Sequence, residues 1–409
     1  MSGGPAVGRH RGALALSGLV ALAACGGQGP TTPTSSPTSS GSPQVDNVAP
    51  LEVNSGPADN TVNGLYVSVT ICVPGTSSCQ TIDGVEVDTG SVGLRLLSSQ
   101  VSLSLPPVSD GSGHALGNCA SFADKSYTWG PVVTADVQIA GEKAASVPIQ
   151  LVGEAGFPDA PSACSNGGTA ANTVSALSAR GLLGLGVFRQ DCGPACSRGA
   201  SAAPPVYFGC VGSACSAASM PLSSQLQNPV WLFPQDNNGL LIGLPAIPAA
   251  GASTASGSLI FGIGTQTNNA LGSARVYTTD AEGNFSTTFE GRTYSSSYLD
   301  TGSNGLYFLD SSTIGLPPCP RNDSDFSCPS STVDYAATNA GANGVSGQVT
   351  FSVANAETLF RTGNNALGTL GGPDTGEFDW GLPFFFGRTT FIAIEGQATP
   401  GGTGPYWAY

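Results

Sequence analysis

Two stretches of this chain are copies of one string. Val87-Asp88-Thr89-Gly90-Ser91-Val92-Gly93-Leu94 and Leu299-Asp300-Thr301-Gly302-Ser303-Asn304-Gly305-Leu306 share hydrophobic-Asp-Thr-Gly-Ser-x-Gly-Leu, 212 positions apart. A duplicated string implies duplicated structural units. Each unit would deliver one carboxylate, and two carboxylates held face to face share a proton, so that one acts as acid and the other as base. Asp88 and Asp300 are therefore the candidate catalytic pair, expected within about 3–4 Å of each other. Gly90 and Gly302 would let each loop turn tightly and approach the other. Thr89 and Thr301 can offer hydroxyl donors to the opposite loop's backbone, and Ser91 and Ser303 can donate to the outer carboxylate oxygens. Two Asx turns would need Asp and Gly, but not this whole string twice.

Other hydrolytic chemistry finds little support. Of the two histidines, His10 lies in an apolar leader and His114 stands among Gly111, Ser112, Gly113 and Gly117, as in a solvated loop. No Gly-x-Ser-x-Gly elbow and no His-Glu-x-x-His occurs, so a serine-type triad and a zincin site are not expected. A glycosidase can also use two carboxylates, but Trp129, Trp231, Trp380 and Trp407 form no sugar-binding platform in the sequence. Gly184-Leu185-Gly186 and Gly262-Ile263-Gly264 lack the third glycine of a dinucleotide site and read as turns. The expectation is an enzyme without cofactor or metal.

The elements that must position the pair are nearly all strands. Tyr66 to Ile71 alternates and is β-branched, as are Val132 to Ile139, Val147 to Val152, Ser258 to Phe261 and Val349 to Val353. Fifty-seven Gly and thirty Pro punctuate them with turns. The best short helix candidates are Thr173 to Ala179 and Ala354 to Phe360. Two β-rich lobes, 51–245 and 246–409, would each carry one copy of the string.

The start of the chain reads as an address. Arg9 and Arg11 precede an apolar run from Ala13 to Ala24, too short to span a bilayer and shaped like a signal peptide. Leu22-Ala23-Ala24-Cys25 resembles the bacterial lipoprotein cleavage box, which makes residues 1–25 the leader and Cys25 the lipidation site. Gly26, in place of Asp, points to the outer membrane. Residues 26–50, rich in Gly, Ser, Thr and Pro, read as a tether without a basic inhibitory segment. The chain carries 13 Lys and Arg against 27 Asp and Glu. That balance argues against nucleic acid and against anionic membrane surfaces as partners, so the membrane is met through the anchor, and a monomer is the expected state.

Eleven cysteines are present, and the ten after Cys25 form an even set in an oxidising compartment. Short loops favour Cys72 with Cys79 and Cys319 with Cys328. Cys192, Cys196, Cys210 and Cys215 can pair locally or nest, and Cys119 with Cys164 then remains. Spacings of three and four residues in this cluster fit disulfides better than zinc.

Across about residues 60–395 the chain resembles the pepsin-like aspartic proteases. Gln80 to Val87 is similar to the strand feeding the first catalytic loop, and Gly181-Leu182-Leu183-Gly184 to the segment that crosses behind it. Ser256 to Gly262 is similar to a strand opening the second lobe, and Phe384-Phe385-Phe386-Gly387 to the second crossing. The tail, Thr399 to Tyr406, resembles that of a family of bacterial exported proteins sharing the duplicated string. The resemblance implies a mainly β, bilobal pepsin-like fold with the cleft between the lobes and the two threonines locking the loops together. It implies an aspartic endopeptidase acting on a peptide or protein substrate, with a water held between Asp88 and Asp300, the alternative being an envelope protein that keeps the cleft for binding alone. It also implies a flap hairpin within 126–139, with Trp129-Gly130 in the usual Tyr-Gly place.

Overall fold

The computed structural model describes residues 46–197, 205–320 and 323–409. The expectations for the leader, Cys25 and most of the tether lie outside the described residues. Among the described residues strands dominate: one sheet has 16 strands, a second has seven, and a ribbon has two. All five alternating runs named above fall within strands, Gly64–Cys72, Ser126–Ile139, Glu142–Val152, Ala255–Phe261 and Ser346–Val353. The two helix candidates shorten to single turns, Val174–Leu177 and Ala356–Phe360, each begun by a capping side chain. Thr173 Oγ1 accepts from the Ala176 amide at 3.1 Å, and Asn355 Oδ1 from Thr358 at 3.0 Å.

The same three-strand unit occurs once in each half. In the first, an inbound strand, Cys79–Asp88, runs parallel to a crossing strand, Gly181–Leu185, which in turn runs antiparallel to an outbound strand, Val92–Leu97. In the second, the inbound strand is Arg292–Leu299, the crossing strand Phe378–Trp380 and the outbound strand Leu306–Phe308, with the same directions. Registers agree too: Val87 faces Leu183 and Leu299 faces Trp380. This duplication makes the molecule a mainly β, bilobal, pepsin-like fold.

The second crossing is a correction to the sequence reading, which put it at Phe384-Phe385-Phe386-Gly387. Leu382–Phe385 is instead a 3₁₀ turn. Its buried Phe384 and Phe385 continue an aromatic core with Phe378 and Trp380, whose rings stand 4.7 Å apart. Phe308 stacks on Phe378 at 5.0 Å, so the second half is filled by rings. The first is filled by Val67, Val69, Val85, Val87, Leu94 and Ile149.

The 245/246 boundary is bridged by the first strand, Val48–Asn54. It pairs antiparallel with Gly64–Cys72 of its own half and, from Val48↔Ile260 to Val53↔Ala255, with Ala255–Phe261 of the other. The ladder continues through Gly239–Gly243, Thr389–Ala393 and Tyr406–Ala408. Residues 45–409 accordingly form one compact unit. The tether limit of residue 50 is also corrected: buried Asn47 donates to the Phe261 carbonyl at 2.7 Å, and strand pairing begins at Val48.

Five disulfides close the structure: Cys72–Cys79, Cys119–Cys164, Cys192–Cys196, Cys210–Cys215 and Cys319–Cys328. The open cluster thus resolves into two local pairs. No helix among the described residues is long and apolar enough to cross a membrane.

Candidate active site

The first inbound strand ends at Asp88 and the second at Leu299, one residue before Asp300, and the crossing strand fixes where each end lies. Asp88 registers with Gly184, and the Asp300 amide donates to the Trp380 carbonyl at 3.1 Å. The two loops then meet. The Thr89 amide donates to Thr301 Oγ1 at 3.1 Å, and the Thr301 amide to Thr89 Oγ1 at 3.0 Å. Each hydroxyl passes its own proton across: Thr89 Oγ1 to the Leu299 carbonyl at 2.8 Å, Thr301 Oγ1 to Val87 at 2.6 Å. Both threonines are buried, so these bonds face no competition from water.

The carboxylates sit on this clasp. The Gly90 amide donates to Asp88 Oδ1 at 2.8 Å and to Asp300 Oδ1 at 3.1 Å, so one nitrogen serves both inner oxygens. Gly302 donates to Asp300 Oδ1 at 2.8 Å, and Ser91 N–H to Asp88 Oδ1 at 3.1 Å. The outer oxygens are held by hydroxyls, Asp88 Oδ2 by Ser91 and Asp300 Oδ2 by Ser303 at 2.8 Å. The approach admits no side chain at either glycine. A Cβ on Gly90 would lie 2.7 Å from Asp300 Cγ, and one on Gly302 would lie 2.9 Å from Asp88 Oδ1. Burial and the neighbouring charge of Asp88 push the Asp300 carboxyl up to about 7, against the bonds from Ser303 and Gly302.

A family described as a protein of unknown function (DUF3443) matches residues 43–409. The chain belongs to the DUF3443 family. Among solved structures, this DUF3443 chain is similar to the crystal structure of an aspartic proteinase from Irpex lacteus, at 14% identity and a TM-score of 0.49. The match covers 88% of this chain and 96% of that one. No curated protein matches it in sequence.

Around the pair, the DUF3443 chain places two further carboxyls that sequence reasoning missed. Glu86 stands two residues before Asp88, on the same face of its strand. Burial, then the charges of Asp88 and Asp300, hold it well above the usual carboxylate range. Asp379 lies in the second crossing strand and is raised likewise, by burial and then by Asp300. Glu86 was detectable from period-two alternation. Asp379 was not, because the crossing strand that carries it had been placed elsewhere.

The flap reading needs correction. Ser126–Ile139 is one continuous strand, paired with Ala115–Ser121 on one side and Glu142–Val152 on the other. Trp129 is 8% exposed, donates Nε1–H to the Pro158 carbonyl at 2.7 Å, and packs on Phe157 and Phe208. Gly130 lies beside it in mid-strand, opposite Asn118. The hairpin tip is residues 122–125, where Phe122 N–H donates to the Ser126 carbonyl at 2.9 Å. Asp124 at that tip is among the charges that raise the Tyr307 phenol, so the hairpin reaches toward the second half. His114 pairs with Asp110 at 3.0 Å on an exposed turn.

Proposed function

We propose that this protein is an aspartic endopeptidase. The observation that carries the reading is the shared Gly90 amide, which keeps the inner oxygens of Asp88 and Asp300 on one donor. With Asp300 carrying the proton, Asp88 takes one from a water lying between the two. The hydroxide attacks the scissile carbonyl while Asp300 gives its proton to the carbonyl oxygen. As the tetrahedral adduct collapses and the C–N bond breaks, Asp88 passes its proton to the leaving nitrogen and Asp300 takes one back from a diol hydroxyl, so the dyad is again singly protonated. The Thr89–Thr301 clasp fixes the geometry that these transfers need.

Anchorage at Cys25 would place this activity at the cell envelope, on the outer membrane, within reach of a tether. The test uses protein lacking residues 1–25, incubated with denatured protein substrate between about pH 3 and 7, where a carboxylate pair can hold one proton. Cleavage blocked by a statine inhibitor and lost in Asp88→Asn and Asp300→Asn is expected. Peptide binding without cleavage at every pH would overturn the reading in favour of a binding cleft.

A further inference from the structure

Three side chains stand abreast on one face of the second half. Asp379 registers with Tyr298 of the inbound strand and with Tyr307 of the outbound strand. Its neighbours Phe378 and Trp380 point into the core, so Asp379 points the other way. There its carboxyl meets the Ser303 hydroxyl, the group that holds the outer oxygen of Asp300. The corresponding place in the first half, opposite Glu86, is the apolar Leu182.

Asp379 is 5% exposed, and its Oδ1 has no hydrogen-bond partner among the described residues. A buried carboxylate oxygen left unpaired is costly and calls for an explanation. The ion pairs among the described residues all lie elsewhere. The charges that Asp379 meets are those of Asp300, Asp374 and Glu377. Tyr298 holds Glu377 through its hydroxyl at 2.8 Å, and Tyr307 donates its hydroxyl to Asn304 Oδ1 at 2.6 Å, while burial and the charges of Asp379, Asp325 and, at the hairpin tip, Asp124 raise its phenol. Acidic groups thus close in from the crossing strand, the segment before it, the loop at 325 and the hairpin.

We infer that Asp379, flanked by Tyr298 and Tyr307, is a specificity-determining residue that receives the ammonium or guanidinium of a Lys or Arg side chain in the substrate, beside Asp300. The aliphatic stem of such a side chain lies along the two tyrosine rings while its charged end reaches Oδ1. Burial and Asp300 disfavour the charged form of Asp379 in the free cleft, and an arriving cation reverses that balance. The inference rests on the peptidase reading for its assumption that the ligand is a peptide.

The test separates binding from turnover. In an Asp88→Asn background, short peptides with a single Lys walked through every position are compared with the same set carrying norleucine, by fluorescence anisotropy near neutral pH. One position is expected to bind about 10–100-fold more tightly with Lys, the worth of a charge-assisted hydrogen bond. Asp379→Asn should erase that preference and leave norleucine binding in place. Asp379→Leu, the first-half residue, is the second variant in case the amide misfolds. Equal binding of both sets, no binding of either, or a Lys preference that survives both substitutions would overturn the inference. Cleavage without a basic preference sinks this inference and leaves the peptidase reading intact. Lys-selective binding without cleavage does the reverse.

Discussion

Thr89 and Thr301 hold each other's loops symmetrically: each amide donates to the other's hydroxyl, and each hydroxyl donates to a carbonyl of the opposite inbound strand. Removing one hydroxyl leaves an amide and a carbonyl unpaired in a buried place. Thr301→Val should therefore lower stability by about 1–3 kcal/mol, read from urea unfolding. Thr301→Ser should recover most of that. Equal stability for the Val variant and the parent would show that the clasp contributes nothing.

Gly90 is where stability and activity should part. A methyl there meets the Asp300 carboxylate at 2.7–2.8 Å, and Asp300 has to move away from the shared amide. A misplacement of about 1 Å costs about 100-fold in rate. Gly90→Ala should lose cleavage by at least that factor while its unfolding midpoint shifts little. A fully active Ala variant would mean that the inner oxygens need no common donor.

The raised Asp300 carboxyl sets a pH dependence whose sign can be worked out. Its ordinary value is 3.8, and in the folded protein it is about 7. Between these values the native state holds a proton that the unfolded state has released, so stability falls as pH rises through that window. Asp300→Asn cannot titrate and should flatten this slope, its advantage over the parent growing from about pH 4 to pH 8 in thermal melts. Cleavage by the parent should decline as pH passes about 7, where the shared proton is lost. Activity that climbs steadily above that pH would assign the proton elsewhere.

Much of this was legible because strands announce themselves locally. The β-branched run at Tyr66 to Ile71 and the Gly181-Leu182-Leu183-Gly184 crossing carry their patterns in consecutive residues. The second crossing does not. Asp379 interrupts the apolar pattern of Phe378-Asp379-Trp380-Gly381, and Phe384-Phe385-Phe386-Gly387 a few residues on imitates it better. Only pairing with residues 297–299 and 306–308 separates the two. Trp129-Gly130 misled for a similar reason: an aromatic-Gly pair looks the same at a hairpin tip and in mid-strand, and the difference lies in what covers the ring.

Cys119–Cys164 ties a strand of the hairpin to a short helix 45 residues away. Closing a loop of that length stabilises the fold by about 4 kcal/mol in the chain-entropy account. The double variant Cys119→Ala, Cys164→Ala should show roughly that loss in denaturant unfolding without reductant. Loss of the short-loop pair Cys210–Cys215 should cost less, because its loop spans five residues.

The first strand lies edge-on between two partners, with six registered positions against Ala255–Phe261 and three against Gly64–Cys72. A tension applied at residue 46 would run along this strand and not across it. Its ladder would then be loaded in shear, every rung strained together, instead of being peeled open one rung at a time. Chain pulled from its amino end would thus grip the rest of the fold at the seam between the halves, and the first rupture would part them.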